Sequence, residues 1–257
     1  MTYISSPVNP TVKYYNSLSR SKVRARDGVF VIEGDILVRE SIQADIQIVS
    51  AMIDESRMHS IEDIVKDLEQ KNVPVYMASA AAMARASSLD TPQNIIAVGH
   101  VPQSPQSMDP NGRYMVCEGL QNPGNAGAIL RSAAAFGIDG VIFVGSCDIY
   151  SVKVLRGSMG AVYKVPVYVH SDVEQVADML HQHKIRSYAA VVGESAKPLS
   201  AVDLGDGCAI WIGNEGNGLS REAIDFCENK VYIPMRQNTE SLNASVAASI
   251  FMWEMSK

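Results

Sequence analysis

The stretch Tyr114-Met115-Val116-Cys117-Glu118-Gly119-Leu120-Gln121-Asn122-Pro123-Gly124-Asn125-Ala126-Gly127-Ala128-Ile129-Leu130-Arg131 decides the fold. It opens on a short apolar run (114–118), passes through a turn rich in Gly and Asn, and enters a segment with helical character expected over 126–137. A strand apolar on both faces belongs in a sheet covered on both sides, which is the usual setting of parallel strands. The same alternation continues downstream. Strands are expected at 140–145, 187–192, 208–213 and 230–234, and helices at 172–183, 220–229 and 241–255. A parallel α/β sheet wrapped by helices follows, and in such sheets ligands sit at the carboxyl ends of the strands.

Upstream of that stretch, VPQSPQSMDPNG (101–112) has three prolines and no apolar period, and reads as a linker. Residues 1–100 then form a first, smaller α/β domain and 113–257 a second. Apolar runs at 29–32, 46–53, 73–77 and 94–101 are the strands expected of the first. Asn9-Pro10 makes an N-cap and N1 pair ahead of Val12, Tyr15 and Leu18, and 60–72 places Ile61, Ile64 and Leu68 on one helical face.

Composition narrows the class. With 257 residues, 47% hydrophobic and 19% charged, the chain can bury a real core, which excludes disorder as its main state. No apolar run approaches the ~18 residues that span a bilayer. The N-terminus lacks the basic and apolar regions of a secretory signal, so a cytoplasmic protein is expected. Cys117, Cys147, Cys208 and Cys227 show no metal-ligand spacing, and neither a metal site nor a disulfide framework is expected. His181 and His183 are two apart and diverge on a helix. A net charge of −6 argues against nonspecific coating of nucleic acid. The charge is uneven, however. Met1 to Arg26 holds no acidic residue but carries Lys13, Arg20, Lys22, Arg24 and Arg26, either a solvated face or a surface for phosphates.

Three loops after second-domain strands carry residues that plain connections do not need. The first sets Gly124 and Gly127 around Asn125 at a helix start, with Arg131 one turn inside, offering donors for a phosphate or ribose. The second (212–219) packs Gly213, Asn214, Glu215, Gly216, Asn217 and Gly218 behind a strand, where glycine permits close approach to a flat ligand. The third (233–245) presents Glu240, Ser241, Asn243 and Ser245. Turns and helix caps are the competing reading, Ser241 being an ordinary N-cap type. G-x-G-x-x-G, Walker-A and G-x-S-x-G signatures are absent, which disfavours dinucleotide-dependent dehydrogenases, P-loop NTPases and α/β-hydrolases.

Asn122 to Arg131, Gly213 to Leu219, and Ile233-Pro234-Met235 with Glu240-Ser241-Leu242-Asn243 resemble the three motifs of the SpoU (TrmH-like) RNA ribose 2′-O-methyltransferases of the SPOUT superfamily. Tyr150 to Gly160 resembles the segment between the first two motifs, and 30–34 and 89–98 are similar to the family's substrate-binding domain. Gln237 stands where the family often has glycine, and Val152 where it has proline. The resemblance implies a deep trefoil knot in the C-terminal sheet and a bound S-adenosyl-L-methionine. The cofactor contacts it implies are Val192, Gly193, Gly213, Asn214, Gly216, Gly218, Ile233, Met235 and Leu242.

It also implies that Arg131 is the catalytic arginine. A guanidinium holds its proton too tightly to be an ordinary base, so a phosphate clamp that stabilises the developing alkoxide fits better. Asn125, Glu215, Ser241 and Asn243 are then expected to hold Arg131 and the ribose in line. The first domain is expected to select structured RNA, a task its basic segment suits, and the whole-chain resemblance favours large-subunit ribosomal RNA over transfer RNA. A transfer-RNA methyltransferase and a non-catalytic RNA-binding module are the alternatives. The last helix is apolar nearly all round, with Leu242, Val246, Ser249, Ile250 and Trp253 on one stripe and Ala248, Phe251, Met252 and Met255 towards the other. A homodimer covering the second face is expected, as the resemblance also implies.

Overall fold

A computed structural model of the protein describes residues 1–193, 195–236 and 241–257; Gln237 and Glu240 lie outside them. Two compact units emerge. One comprises Met1–Gln103 with Tyr150–Arg156, the other Ser104–Ile149 with Gly157–Lys257.

The first unit runs β1 (Thr2–Ile4), α1 (Pro10–Ser17), α2 (Ser21–Asp27), β2 (Val29–Glu33), α3 (Asp35–Gln43), β3 (Ile48–Asp54), α4 (Glu62–Gln70), β4 (Val75–Ala78), α5 (Ala80–Ala86) and β5 (Ile95–His100). Its sheet has the order β1-β4-β3-β5-β2. The strands β1, β4 and β3 are parallel, and β5 runs antiparallel to both neighbours. Asn9 caps α1 as expected, its side chain accepting from Thr11 N at 2.9 Å with Pro10 in the first turn. Val12, Tyr15 and Leu18 are buried against β-strand residues Val31, Met52, Ile96 and Val98.

The second unit opens with β6 (Arg113–Glu118), α6 (Pro123–Phe136) and β7 (Gly140–Val144). Helix α7 (Val152–Ser158) follows, its residues up to Arg156 belonging to the first unit. The chain continues through β8 (Val167–His170), α8 (Val173–Gln182), β9 (Arg186–Ala190), β10 (Lys197–Pro198), β11 (Cys208–Ile212), α9 (Arg221–Phe226), β12 (Asn229–Tyr232) and α10 (Ala244–Met255). Every strand pair in the sheet, ordered β10-β12-β9-β11-β6-β7-β8, is parallel. All residues of the inner strands β7 and β11 are buried, as continuous apolar runs require. The four cysteines are free thiols; burial pushes Cys208 up to about 11 and Cys227 to about 12, which keeps both protonated and inert.

The expected linker is partly packed. Met108 is buried in the second unit's core, Asp109 N donates to Tyr114 Oη at 2.8 Å, and Tyr168 Oη donates to Ser107 O. Two helix starts also differ from expectation. Helix α6 begins at Pro123, not 126, because Asn122 accepts from Gly124 N at 2.8 Å and Pro123 presets the first turn. Helix α10 begins at Ala244, not 241, because Asn243 caps it through Ser245 N and Val246 N. Among the described residues no helix is long and apolar enough to cross a membrane.

Candidate active site

The carboxyl ends of β6, β11 and β12 carry the three loops. After β6, Gly119 turns the chain at φ 63°, and Asn122 starts α6 three residues on. After β11, the loop 213–218 folds back on itself, with Asn214 N donating to Gly218 O at 3.0 Å and Gly218 N to Asn214 O at 2.9 Å. A Cβ at Gly213 would lie 2.0 Å from the Gly218 carbonyl carbon, so only glycine closes this loop. At Gly216 the nearest atom to such a Cβ is Asn214 Oδ1, 3.5 Å away. The requirement for glycine at 213 is thus self-contact of the chain and not room for a ligand. At Gly127 the partner is likewise backbone, Gly157 C at 2.7 Å.

Asn214 braces the two loops together. Its Oδ1 accepts from Gly216 N and Asn217 N, and its Nδ2 donates to Gly119 O at 2.8 Å. Glu215 continues the tie. Its carboxylate accepts from Gln121 N at 3.2 Å, Asn122 N at 3.0 Å and Asn125 Nδ2 at 2.9 Å. Partial burial pushes the Glu215 carboxyl up, but the hydrogen bonds, that of Asn125 foremost, outweigh it and hold the group below the usual glutamate value.

An ionised carboxylate can only accept, so Asn125 must turn its amide NH₂ towards Glu215 and its oxygen away. That oxygen accepts from Asn243 Nδ2 at 3.1 Å, which leaves Asn243 Oδ1 for the cap of α10. One charge therefore orients two amides in sequence and binds all three loops into one unit.

Beside this chain lies a cavity of about 150 Å³ at the ends of β9 and β12. Val192, Ile233, Met235, Ser241, Leu242 and Phe251 are among its walls. Four of the expected cofactor contacts meet here: Val192, Ile233, Met235 and Leu242. Gly213, Asn214, Gly216 and Gly218 do not line it; they shape the loop that carries Glu215. Gly193 follows Val192, and a Cβ there would meet nothing within 4 Å. Apolar walls from three segments fit a flat heteroaromatic group such as adenine, with backbone and the Ser241 hydroxyl for its polar edge.

Three expectations need correction. Arg131 sits more than two turns into α6, since the helix starts at Pro123. Six residues from Asn125, it points roughly 240° around the helix axis, is exposed, and takes no part in the Asn125–Glu215–Asn243 chain. Ser241 lines the cavity and neither joins that chain nor caps the helix. In the basic segment, Arg24 is buried and donates to Leu18 O, fastening the end of α1, so it is not part of a surface for phosphates. Lys13, Arg20 and Lys22 are exposed, as is Arg26, which pairs with Asp27 at 2.6 Å.

Sequence reasoning did not single out Gln121 and Asn122 as backbone donors, nor Asn214 as the brace. The Asn-Pro signal that located α1 recurs at Asn122-Pro123, and would have placed these amides at the mouth of α6.

Residues 112–253 match the SpoU rRNA Methylase family, and residues 9–97 match the MRM3-like substrate binding domain. The chain is 30% identical to the 23S rRNA (guanosine(2553)-2′-O)-methyltransferase RlmP of Bacillus subtilis over 257 residues, 99% of each chain. Among solved structures it resembles an RNA 2′-O ribose methyltransferase at 29% identity and a TM-score of 0.81, covering 98% of this chain and 97% of that one. An rRNA methyltransferase from Sinorhizobium meliloti shares the fold, with a TM-score of 0.89 at 23% identity over 98% of this chain and 96% of that one.

Proposed function

The chain belongs to the SpoU rRNA methylase family, and we propose that it moves a methyl group from S-adenosyl-L-methionine to a ribose 2′-hydroxyl of structured RNA, specifically large-subunit ribosomal RNA. The observation that carries this reading is the Glu215–Asn125–Asn243 chain, which joins three strand-end loops beside an apolar cavity.

S-adenosyl-L-methionine, when bound, supplies an electrophilic methyl on a sulfonium sulfur. The ribose 2′-oxygen would bond to that carbon as the carbon–sulfur bond breaks, with the hydroxyl proton passing to solvent. A neutral alcohol is a poor nucleophile, so the protein must supply position and charge. Val192, Ile233, Met235 and Leu242 would exclude water from the cavity and hold the adenine of the cofactor. Asn125, Glu215 and Asn243 fix the loops that face the ribose, and Ser241 offers a hydroxyl at the cavity edge. Glu215 spends its oxygens on three donors, which suits it to orientation and not to proton removal. Arg131, exposed on α6, grips an RNA phosphate, and its positive charge favours the developing alkoxide.

The first unit contributes RNA affinity through Lys13, Arg20 and Lys22. The proposal includes the knot, supported by α10, which follows β12 in the chain, packing back on α6, β6 and β11. It also includes a homodimer in the cytoplasm. Ala248, Phe251, Met252 and Met255 are buried on one face of α10, while Val246 and Trp253 remain 47% and 54% exposed on the other. Trp253 lies edge-on to Phe136 of α6, ring centroids 5.7 Å apart, so the exposed apolar surface spans two helices.

The substrate is tested by incubating the protein with methyl-labelled cofactor and separately purified large-subunit, small-subunit and transfer RNA. Label in the large-subunit fraction is expected. Label confined to transfer RNA would reassign the substrate, and label in none would leave a binding module.

A further inference from the structure

The first unit holds a second concave site that none of the three motifs explains. It is a cleft of about 530 Å³, lined by Ser88, Asp90, Thr91 and Gln93 on one side and by Lys153 and Arg156 of α7 on the other. We propose that this cleft takes one unpaired nucleotide of the RNA, its phosphate on Lys153 and Arg156 and its base edge on Asp90, Thr91 and Gln93. This rests on the RNA-modifying function proposed above.

The loop side is built to keep its shape. Glu33, only 3% exposed at the end of β2, accepts from Ser87 Oγ at 2.7 Å, Ser88 N at 3.0 Å and Ser88 Oγ at 2.6 Å. Ser87 Oγ in turn accepts from Leu89 N at 3.0 Å. A buried carboxylate satisfied by donors from one short segment anchors that segment firmly. Pro92 restricts the backbone further, and Gln93 Nε2 donates to Thr91 O at 3.3 Å. The loop thus presents Asp90 and Thr91 exposed and Gln93 half-buried, all on a fixed frame.

The helix side supplies charge. Lys153 and Arg156 are three residues apart, which puts both on one face of α7, and both are exposed. Two cations against one Asp leave the cleft net positive, suited to a phosphodiester. Its volume falls within the roughly 300–1,000 Å³ of small-ligand sites. It therefore admits a single splayed nucleotide and not a duplex, and unpaired bases are what sequence-specific RNA readers hydrogen-bond. Asp90 accepts from a base amino group, while Thr91 and Gln93 can donate or accept.

The full-length protein is titrated over a salt series against a labelled RNA hairpin with an unpaired loop and against a fully paired RNA duplex. The parent should prefer the hairpin by about tenfold or more. Lys153→Ala with Arg156→Ala should weaken hairpin binding about tenfold and flatten its salt slope by about two, one for each cation removed from a phosphate. Gln93→Ala should keep the slope but reduce the preference among four hairpins that differ in one loop base. Calorimetry with S-adenosyl-L-methionine should give the same affinity for parent and variants. Equal salt slopes for the double variant and the parent, or no hairpin preference in the parent, would overturn the cleft. Slopes that differ as expected in a protein that methylates no RNA would keep the cleft and remove the enzymatic reading.

Discussion

Glu33 in the first unit and Glu215 in the second do the same local job in opposite surroundings. Each carboxylate accepts from three donors and pins a loop, Glu33 the one that follows helix α5 and Glu215 the one that follows β6. Glu33 is 3% exposed and its donors come from the adjoining residues Ser87 and Ser88. Glu215 is exposed, and its donors come from a distant loop and the helix that loop starts. The contrast teaches that a buried anchor contributes mainly to stability, because its removal strands polar groups away from water. An exposed anchor contributes mainly to orientation, because water replaces its bonds while the geometry is lost.

The difference between the anchors should be most visible in turnover. Glu215→Ala should lower kcat about a hundredfold while the thermal midpoint changes little, since positioning errors of an ångström cost on this scale. Arg131→Ala should give a similar loss with cofactor affinity intact, as expected of a group that acts on the transition state. Steady-state kinetics beside calorimetry check both. Cofactor affinity that fell in step with kcat in the arginine variant would remove Arg131 from the chemistry.

Glu33→Ala should instead cost about 2–4 kcal/mol of stability in denaturant titration, because it empties a buried site and takes the carboxylate acceptor from the buried Ser87 hydroxyl. Cofactor binding should be unchanged in the folded fraction. If the two glutamate variants lost stability equally, the distinction between the anchors would fail.

Acid sharpens the contrast. The Glu215 carboxyl lies below the ordinary 4.5 in the folded protein, so its contribution is full above that pH and fades as the pH falls through its lowered value. Amide hydrogen exchange at Gln121 and Asn122 should therefore stay protected at pH 5 and accelerate only under stronger acid. Acceleration between pH 7 and 5 would mean that the carboxylate does not hold these amides.

The smallest effect belongs to Gly216→Ala, expected within about 0.5 kcal/mol of the parent in stability because its Cβ finds space. Gly213→Ala, three residues away, should cost about 3 kcal/mol, since its Cβ meets backbone that cannot yield. Equal costs at the two glycines would contradict the closed shape of the 213–218 loop.

Much of this was legible in the sequence, for physical reasons that differ by element. The inner strands β6, β7 and β11 announced themselves because strands buried on both faces are continuously apolar. Edge strands such as β1 and the two-residue β10 are too short to carry a pattern. Helix α3 opens behind Gly34 at φ 107° with no side-chain cap, so no Ser, Thr, Asp or Asn at the N-cap position marked its start. In the site, residue types were legible but their partners were not. Arg24 and Lys22 look alike in a basic run, and only packing reveals that Arg24 fastens the end of α1. The glycines of 213–218 signalled close approach, but whether to a ligand or to the chain itself is a question of three dimensions.

The central claim is that these three loops carry out methylation at a ribose 2′-oxygen. Ribosomal RNA incubated with the protein and isotopically methyl-labelled S-adenosyl-L-methionine can be digested to nucleosides and weighed by mass spectrometry. The account predicts that the added mass resides wholly on the ribose fragment of one nucleoside type and vanishes with Arg131→Ala. A label found on the base fragment, or one that persists undiminished in that variant, would contradict it.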